Sequence, residues 1–140
     1  MNRDTLQALG LLALRVGFAG FMLWQHGLAK LLGFAELSTK FADPIGLGSA
    51  VSLSLAIFAE VLCSALVIVG LGTRLAAVPL AVTMLVAAFR VHAGDPVADR
   101  ELAFLYLFAF TSLVLAGPGK FSVDAVIDKK RKRPGLVIGG

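Results

Sequence analysis

The sequence predicts an all-α membrane protein: a bundle of four transmembrane helices with both termini in the cytoplasm. Three observations predict it. The 140 residues are 58% hydrophobic and 16% charged, with a mean hydropathy of +0.87. With glycine counted and the single tyrosine left out, the apolar share is about 68%, against about 45–50% in soluble domains. A chain this short cannot hide that much apolar surface from water. Second, the uncharged residues fall into runs, 5–14, 16–29, 44–59, 61–73, 75–89 and 102–119, and only Arg15 and Glu60 divide the first pair and the second pair. Joined across those residues, they make four segments near the roughly 20 residues that a helix needs to cross a bilayer. Third, Lys and Arg are spread unevenly among the connections. The same composition argues against a disordered tail protein, a disulfide scaffold and, despite a pI of 9.6, a nucleic-acid binder.

The first helix is predicted at residues 5–31. It runs through Arg15 to His26 and Lys30 without a short apolar centre or a small-residue cleavage site, so it reads as a span rather than a signal peptide. Residues 33–48 follow as a long connection carrying Phe34, Leu37, Phe41 and Ile45 among polar residues. A short amphipathic helix or lid over the outer face is expected there. The second helix, 49–71, leads through Gly70-Leu-Gly-Thr-Arg74 into the third, 74–92, and so tight a turn makes the two antiparallel neighbours. Arg74 and Arg90 can snorkel outward and lengthen the third helix. Residues 93–100, with Asp95-Pro96 and Asp99, read as a polar turn before the fourth helix, 101–118, which Gly117-Pro-Gly119 terminates. Residues 1–128 thus form the transmembrane domain and 129–140 a basic cytoplasmic tail. Small residues four apart, Ala13 and Gly17, Ser52 and Ala56, Ala77 and Ala81, allow close helix contact. Strand-like alternation is absent.

Orientation follows from the basic residues near the helix ends. Arg3, Arg74, Lys120, Lys129, Lys130, Arg131, Lys132 and Arg133 collect on one side; Lys30, Lys40, Arg90 and Arg100 collect on the other. The first side is therefore cytoplasmic, and the tail run anchors it, with anionic lipid headgroups as its simplest partner.

Arg15 and Glu60 remain inside the membrane. Counted at about 1.5 Å per residue, both fall near the midplane. Either alone faces a severe desolvation cost, so a buried Arg15–Glu60 pair on adjacent helices is expected, whether it fixes packing or carries protons. Toward the outer leaflet stand Trp24, Gln25, His26 and Lys30 on the first helix, Arg90 and His92 on the third, and Glu101 and Tyr106 on the fourth. Arg15 and His26 are eleven residues apart, within about 20° of one helical face. Arg90 and His92 point different ways. Two readings stand for this group: a polar cavity open to the outer leaflet, or the residue types usual at a headgroup boundary.

Several chemistries fall away. Cys63 is the sole cysteine, which leaves no Cys-x-x-Cys centre and no cysteine cluster for iron–sulfur or zinc. His26 and His92 both lie near the outer surface, which argues against haem ligation. Every Asp sits in a loop or terminus, which leaves no buried Asp for a Ser-His-Asp hydrolase. Gly117-Pro-Gly119 is a helix terminator rather than a phosphate loop, and no metal site is indicated.

Arg15, His26-Gly-Leu-Ala-Lys30-Leu31, Ala59-Glu60, Leu71-Gly-Thr-Arg74, His92, Glu101, Tyr106 and Gly117-Pro-Gly-Lys-Phe-Ser-Val-Asp124 occur in an order and spacing that resembles the DoxX family of small bacterial membrane proteins, over about residues 8–127. The resemblance implies a four-helix bundle of the inner membrane in a quinone-linked neighbourhood, with members found in oxidative, thiol or aromatic-compound stress. On that footing the chain is expected to be a quinone-linked redox accessory, and possibilities of catalysis stay open. Glu60, Arg15 and His26 would form a proton relay, Tyr106 and Glu101 would complete a route to the outer surface, and Lys30, Arg90, Trp24 and His92 would line the ligand site and its mouth. Two alternatives are a non-catalytic scaffold for a redox enzyme and a small-solute or proton transporter, for which four helices are few unless the chain forms a homo-oligomer.

Overall fold

The structure, a computed structural model, describes residues 1–132. Among the described residues the chain is helical throughout, with no strand. Four long helices make the body. These are α1 (Arg3–Leu32), α3 (Ser49–Val69), α4 (Thr73–Val91) and α5 (Val97–Ala116); α2 (Phe34–Leu37) lies in the long connection and α6 (Val123–Arg131) follows α5. Helices α1, α3 and α4 are long and apolar enough to cross a membrane. Helix α5 has 20 residues but opens with Asp99, Arg100 and Glu101, so its apolar part falls short of the roughly 17 residues of a minimal span. It starts at Val97 rather than at 101. Pro96, with its φ of −57°, sets up the first turn, and Asp99 sits where the positive end of the helix favours an acid. The polar turn is correspondingly shorter than the charges predict. Lys129 to Lys132 continue or end α6, while Arg133 and the rest of the basic tail lie outside the described residues.

The packing is inverted relative to a water-soluble domain. Phe21, Trp24, Leu75, Phe108 and Leu115 are exposed, while Arg15, Glu60, Ser64 and Thr73 are buried. The common core joins Ala19 and Met22 of α1, Cys63 and Val67 of α3, Ala77 and Leu80 of α4, and Phe110 and Leu113 of α5. Against a lipid solvent, apolar contact alone gives helices little reason to associate, so close approach of small side chains has to supply dispersion contacts. Ala19, Ala59, Ala77 and Ala88 do this with almost no exposed surface.

Four π-helical stretches interrupt the long helices: Arg15–Ala19, Met22–Gly27, Phe58–Cys63 and Ala87–Val91. Each inserted residue turns the following face by about 100°. Arg15, His26, Glu60 and Arg90 all lie within these stretches.

One end of the body holds the start of α1, the α3–α4 turn and the segment after α5; it is called the terminal end here. Helix α3 stops at Gly70 (φ +77°), whose left-handed backbone lets its own N–H and that of Leu71 reach the Leu66 carbonyl at 2.9 Å. Asp124 closes the other side of the turn, accepting from the N–H groups of Gly72 (2.8 Å) and Thr73 (3.1 Å) at the positive end of α4. A Cβ at Gly70 would strike the Ser122 side chain and lie 2.5 Å from Arg15 Nη1. Gly70→Ala therefore adds a collision to the left-handed penalty, and should cost about 2 kcal/mol or more. Thermal unfolding in detergent micelles checks this, with Gly10→Ala, where no atom lies within 4 Å of the added Cβ, as the near-neutral comparison.

Candidate functional site

Arg15 and Glu60 are not partners. The Arg15 guanidinium turns to the terminal end, where Nη1 donates to the carbonyls of Val67 (3.2 Å) and Ile68 (3.0 Å) and Nη2 donates to that of Phe121 (2.5 Å). Side chains on a helix tilt toward its N-terminus. Since α1 starts at the terminal end and the antiparallel α3 starts at the other, the Arg15 and Glu60 side chains lean apart. The same tilt brings Lys30 and Glu60 together. Lys30 Nζ lies 2.9 Å from Glu60 Oε2. The approach satisfies charge but not direction, because Oε2 makes no hydrogen bond and keeps unused acceptor capacity.

Gly27 permits this contact. A Cβ there would lie 2.6 Å from the Glu60 carbonyl oxygen, so only glycine lets α1 press against the π-helical stretch that carries Glu60. Glu60 is 3% exposed, and it borders a cavity of about 430 Å³ at the loop end, between the four long helices. Most of the wall is apolar, with Met22, Leu55, Ala56, Met84 and Leu102 among its residues. Glu60, Lys30, His26 and Tyr106 are among its polar residues, with Ser52, Thr83, His92 and Asp99 also on the wall. Tyr106 is held by three rings: it stacks on Phe110 (5.9 Å between centroids) and meets Phe18 (5.8 Å) and His26 (5.7 Å) edge to face. Its hydroxyl makes no hydrogen bond among the described residues.

The other predicted residues divide. His92 lines the cavity, with Nδ1 2.8 Å from Asp95 Oδ2. Arg90 and Glu101 are exposed and do not line it, and Trp24, 71% exposed, faces outward.

The long connection, where a short helix or lid over the outer face is expected, forms α2 and one wall of the cavity, and what sequence reasoning missed is the part played by Asp43. Phe41, Ala42, Pro44 and Ile45 line the cavity, and Asp43 pins them to α3. The Asp43 carboxylate accepts from the Ser52 hydroxyl (2.8 Å) and from the N–H groups of Gly48 (2.8 Å) and Leu47 (2.9 Å), while the Ser49 hydroxyl donates to the Phe41 carbonyl (2.8 Å). These bonds, Ser52 first and then the Gly48 N–H, hold the Asp43 carboxyl below the usual aspartate range. An acid ahead of a helix start bearing two serines was the available signal.

The sequence model described as DoxX matches residues 10–93. An "Uncharacterized protein" of Haemophilus influenzae is 33% identical over 120 residues, covering 80% of each chain. A Bacillus subtilis protein named "Putative oxidoreductase CatD" is 32% identical over 125 residues, covering 89% of this chain and 91% of its own. No solved structure matches.

Removing one member of a buried ion pair leaves the other uncompensated, at about 3–5 kcal/mol when both are fully buried. Lys30 keeps 20% of its side chain exposed, so Lys30→Met should cost about 2–3 kcal/mol. Adding Glu60→Gln should restore part of that loss, and a double-variant cycle of unfolding in micelles reads the coupling directly. For Asp43 the folded carboxyl is the stronger acid, so its pinning is complete above the ordinary aspartate pKa of about 3.9 and is lost as pH falls through the lower folded value. Protection of the Leu47 and Gly48 amides against hydrogen exchange should follow that course, and Asp43→Ala should abolish both the protection and its acid step.

Proposed function

Because the chain belongs to the DoxX family, we propose that it is a membrane-embedded redox accessory that binds a quinone, or a similar flat amphipathic aromatic molecule, in the cavity beside Lys30 and Glu60. The observation that carries this reading is the Lys30–Glu60 pair, its carboxylate buried, at the edge of a largely apolar cavity. The relative named as an oxidoreductase supports the redox assignment.

The residues fit such a ligand. A volume of about 430 Å³ lies within the roughly 300–1,000 Å³ of small-molecule sites, which pair apolar walls with a few placed polar groups. Met22, Leu55 and Leu102 offer faces for a ring. Lys30 and the unpaired Tyr106 hydroxyl offer donors for ring carbonyl oxygens, and the free acceptor capacity on Glu60 Oε2 suits a ring hydroxyl of the reduced form. A bound quinone supplies reversible exchange of two electrons and two protons. Lys30 donates to a ring oxygen and compensates negative charge there, Glu60 holds or releases a proton beside it, and His26 links this patch to the surface of α1. Arg15 stands outside the site and locks the terminal end. Arg90 and Glu101 lie on the surface near the mouth.

The membrane placement completes the reading. The four long helices span a bacterial inner membrane, with the terminal end cytoplasmic, and Arg100 in the first turns of α5 donates from Nη1 to the Ala88 carbonyl of α4 (3.4 Å). Helix α6, with exposed Val126 and Ile127 and the basic Lys129 to Arg131, lies along the cytoplasmic headgroups.

Calorimetric titration of the purified protein with tail-free benzoquinone and naphthoquinone analogues should show saturable binding. Loss of one charge-assisted hydrogen bond, about 1.5–3 kcal/mol, predicts that Lys30→Met and Glu60→Gln each weaken it about tenfold or more. Arg15→Met should lower stability and leave affinity per folded molecule unchanged. Undiminished binding in both Lys30 and Glu60 variants would remove them from the site, and no binding by the parent protein would turn the assignment to a scaffold.

A further inference from the structure

We propose that the ligand carries a hydrocarbon tail, and that the tail leaves the cavity sideways between α1 and α5, along a groove that opens on the apolar outer surface. The inference rests on the reading that a ring-bearing head lies beside Lys30 and Glu60. A second hollow, of about 690 Å³, runs between α1 and α5 and is lined by Ala13, Gly17, Phe18, Phe21 and Leu105 among others. Its wall is more apolar than that of the cavity. His26, Leu102 and Tyr106 line both hollows, so the partition between them is one side chain thick.

Ala13 and Gly17 have the four-residue spacing that predicts a close helix contact, and no helix covers them. Ala13 is exposed, and a Cβ added to Gly17 meets nothing within 4 Å. Helix α5 packs along α4 far more than on α1, which it meets through the edge-to-face contact of Phe18 with Tyr106. A second observation supports a ligand at this junction. Tyr106 is 6% exposed, borders both hollows, and carries a hydroxyl with no protein partner among the described residues, which leaves a donor available where the hollows meet.

The two routes into the cavity differ physically. At the loop end, Phe41 to Ile45 are held down by the Asp43 bonds to Ser52, Leu47 and Gly48, and a greasy tail there would face polar surroundings. On the α1–α5 side the His26, Leu102 and Tyr106 side chains border both the cavity and the groove; Tyr106 is held by its ring contacts, and rotamer changes of His26 and Leu102 open the way past it. A tailed molecule dissolved in lipid meets that side first. Its tail covers the groove floor left by Ala13 and Gly17, and its polar head reaches Tyr106, Lys30 and Glu60.

The test uses two probes that share one ring, dimethoxy-methyl-benzoquinone without a tail and the same ring with a decyl tail, on the full chain in nanodiscs of fixed composition. Gly17→Leu fills the groove without meeting another atom at Cβ. The parent protein should prefer the decyl probe at least tenfold, and Gly17→Leu should lose that preference while keeping its tail-free affinity within about twofold. A preference unchanged in folded Gly17→Leu overturns the tail track. Equal binding of both probes to the parent protein also overturns it while leaving the head site standing; binding of neither overturns the head site itself. Should Gly17→Leu fail to fold, a decyl probe ending in a diazirine decides on the parent protein. Labels on Phe18, Phe21 or Leu105 support the track, and labels confined to Phe41 to Ile45 overturn it.

Discussion

The fold depends on where the carbonyls at the end of α3 find donors. The last carbonyls of any helix lack partners within it, and in apolar surroundings each unpaired group costs several kcal/mol. Arg15 answers for Val67 and Ile68 and adds Phe121, while the Gly70 and Leu71 amides answer for Leu66. One planar cation thus ties the middle of α1 to the end of α3 and to the segment after α5. That bond sets how far α1 slides along α3. With the register set, Gly27 arrives opposite the Glu60 carbonyl and Lys30 leans down onto the Glu60 carboxylate. The polar patch at the loop end is therefore a consequence of a lock at the terminal end.

The residues that resemble the DoxX pattern separate along the same division. Leu71-Gly-Thr-Arg74 and Gly117-Pro-Gly-Lys-Phe-Ser-Val-Asp124 belong to the lock. Asp124 caps α4, Ser122 caps α6 through the Ala125 N–H (3.2 Å), and Arg74 lies so close to Gly117 (φ +78°) that a Cβ there would sit 2.9 Å from its Nε. His26, Lys30, Glu60, His92 and Tyr106 instead border the cavity. A motif read as one chemical signature holds two kinds of residue, one closing helix ends and one facing a hollow.

The helices were legible because apolar runs longer than a bilayer is thick leave little choice of structure. The beginning of α5 was not, since charges there mark a helix's first turn as readily as a loop. The candidate site was legible in part: His26, Lys30, Glu60, His92 and Tyr106 border the cavity, Arg15, Trp24, Arg90 and Glu101 do not, and the expected Arg15–Glu60 pair is replaced by Lys30–Glu60. Lys30 has the look of a headgroup anchor and Arg15 that of a buried counter-ion. Yet both lie on a helix whose side chains lean toward its start, so Lys30 leans into the body and Arg15 away from Glu60. Facing arguments failed for a second reason. The π-helical stretches Arg15–Ala19 and Met22–Gly27 break the 3.6-residue count between Arg15 and His26, and no residue type announces such a stretch. Asp43 was overlooked because a loop acid has many uses, and only its distances to Ser52 and Gly48 single out this one.

A buried ion pair is a poor way to stabilise a helical assembly, since well-packed apolar side chains of similar size often do as well or better. If Lys30 and Glu60 served packing alone, good hydrogen-bond geometry would at least recover most of their desolvation cost. Here the charges approach to 2.9 Å while Glu60 Oε2 stays without a directed bond, and the Tyr106 hydroxyl beside the same cavity stays without any. Of the buried polar atoms without a hydrogen bond among the described residues, Glu60 Oε2 is the one on a residue that lines this hollow, while those of Arg15, Ser64, Thr73 and Arg100 lie elsewhere. A third polar group entering that hollow trades an imperfect contact for directed ones, so its own desolvation is offset on arrival. That asymmetry, with charge satisfied and direction unsatisfied, is what separates a receptive patch from an inert structural pair.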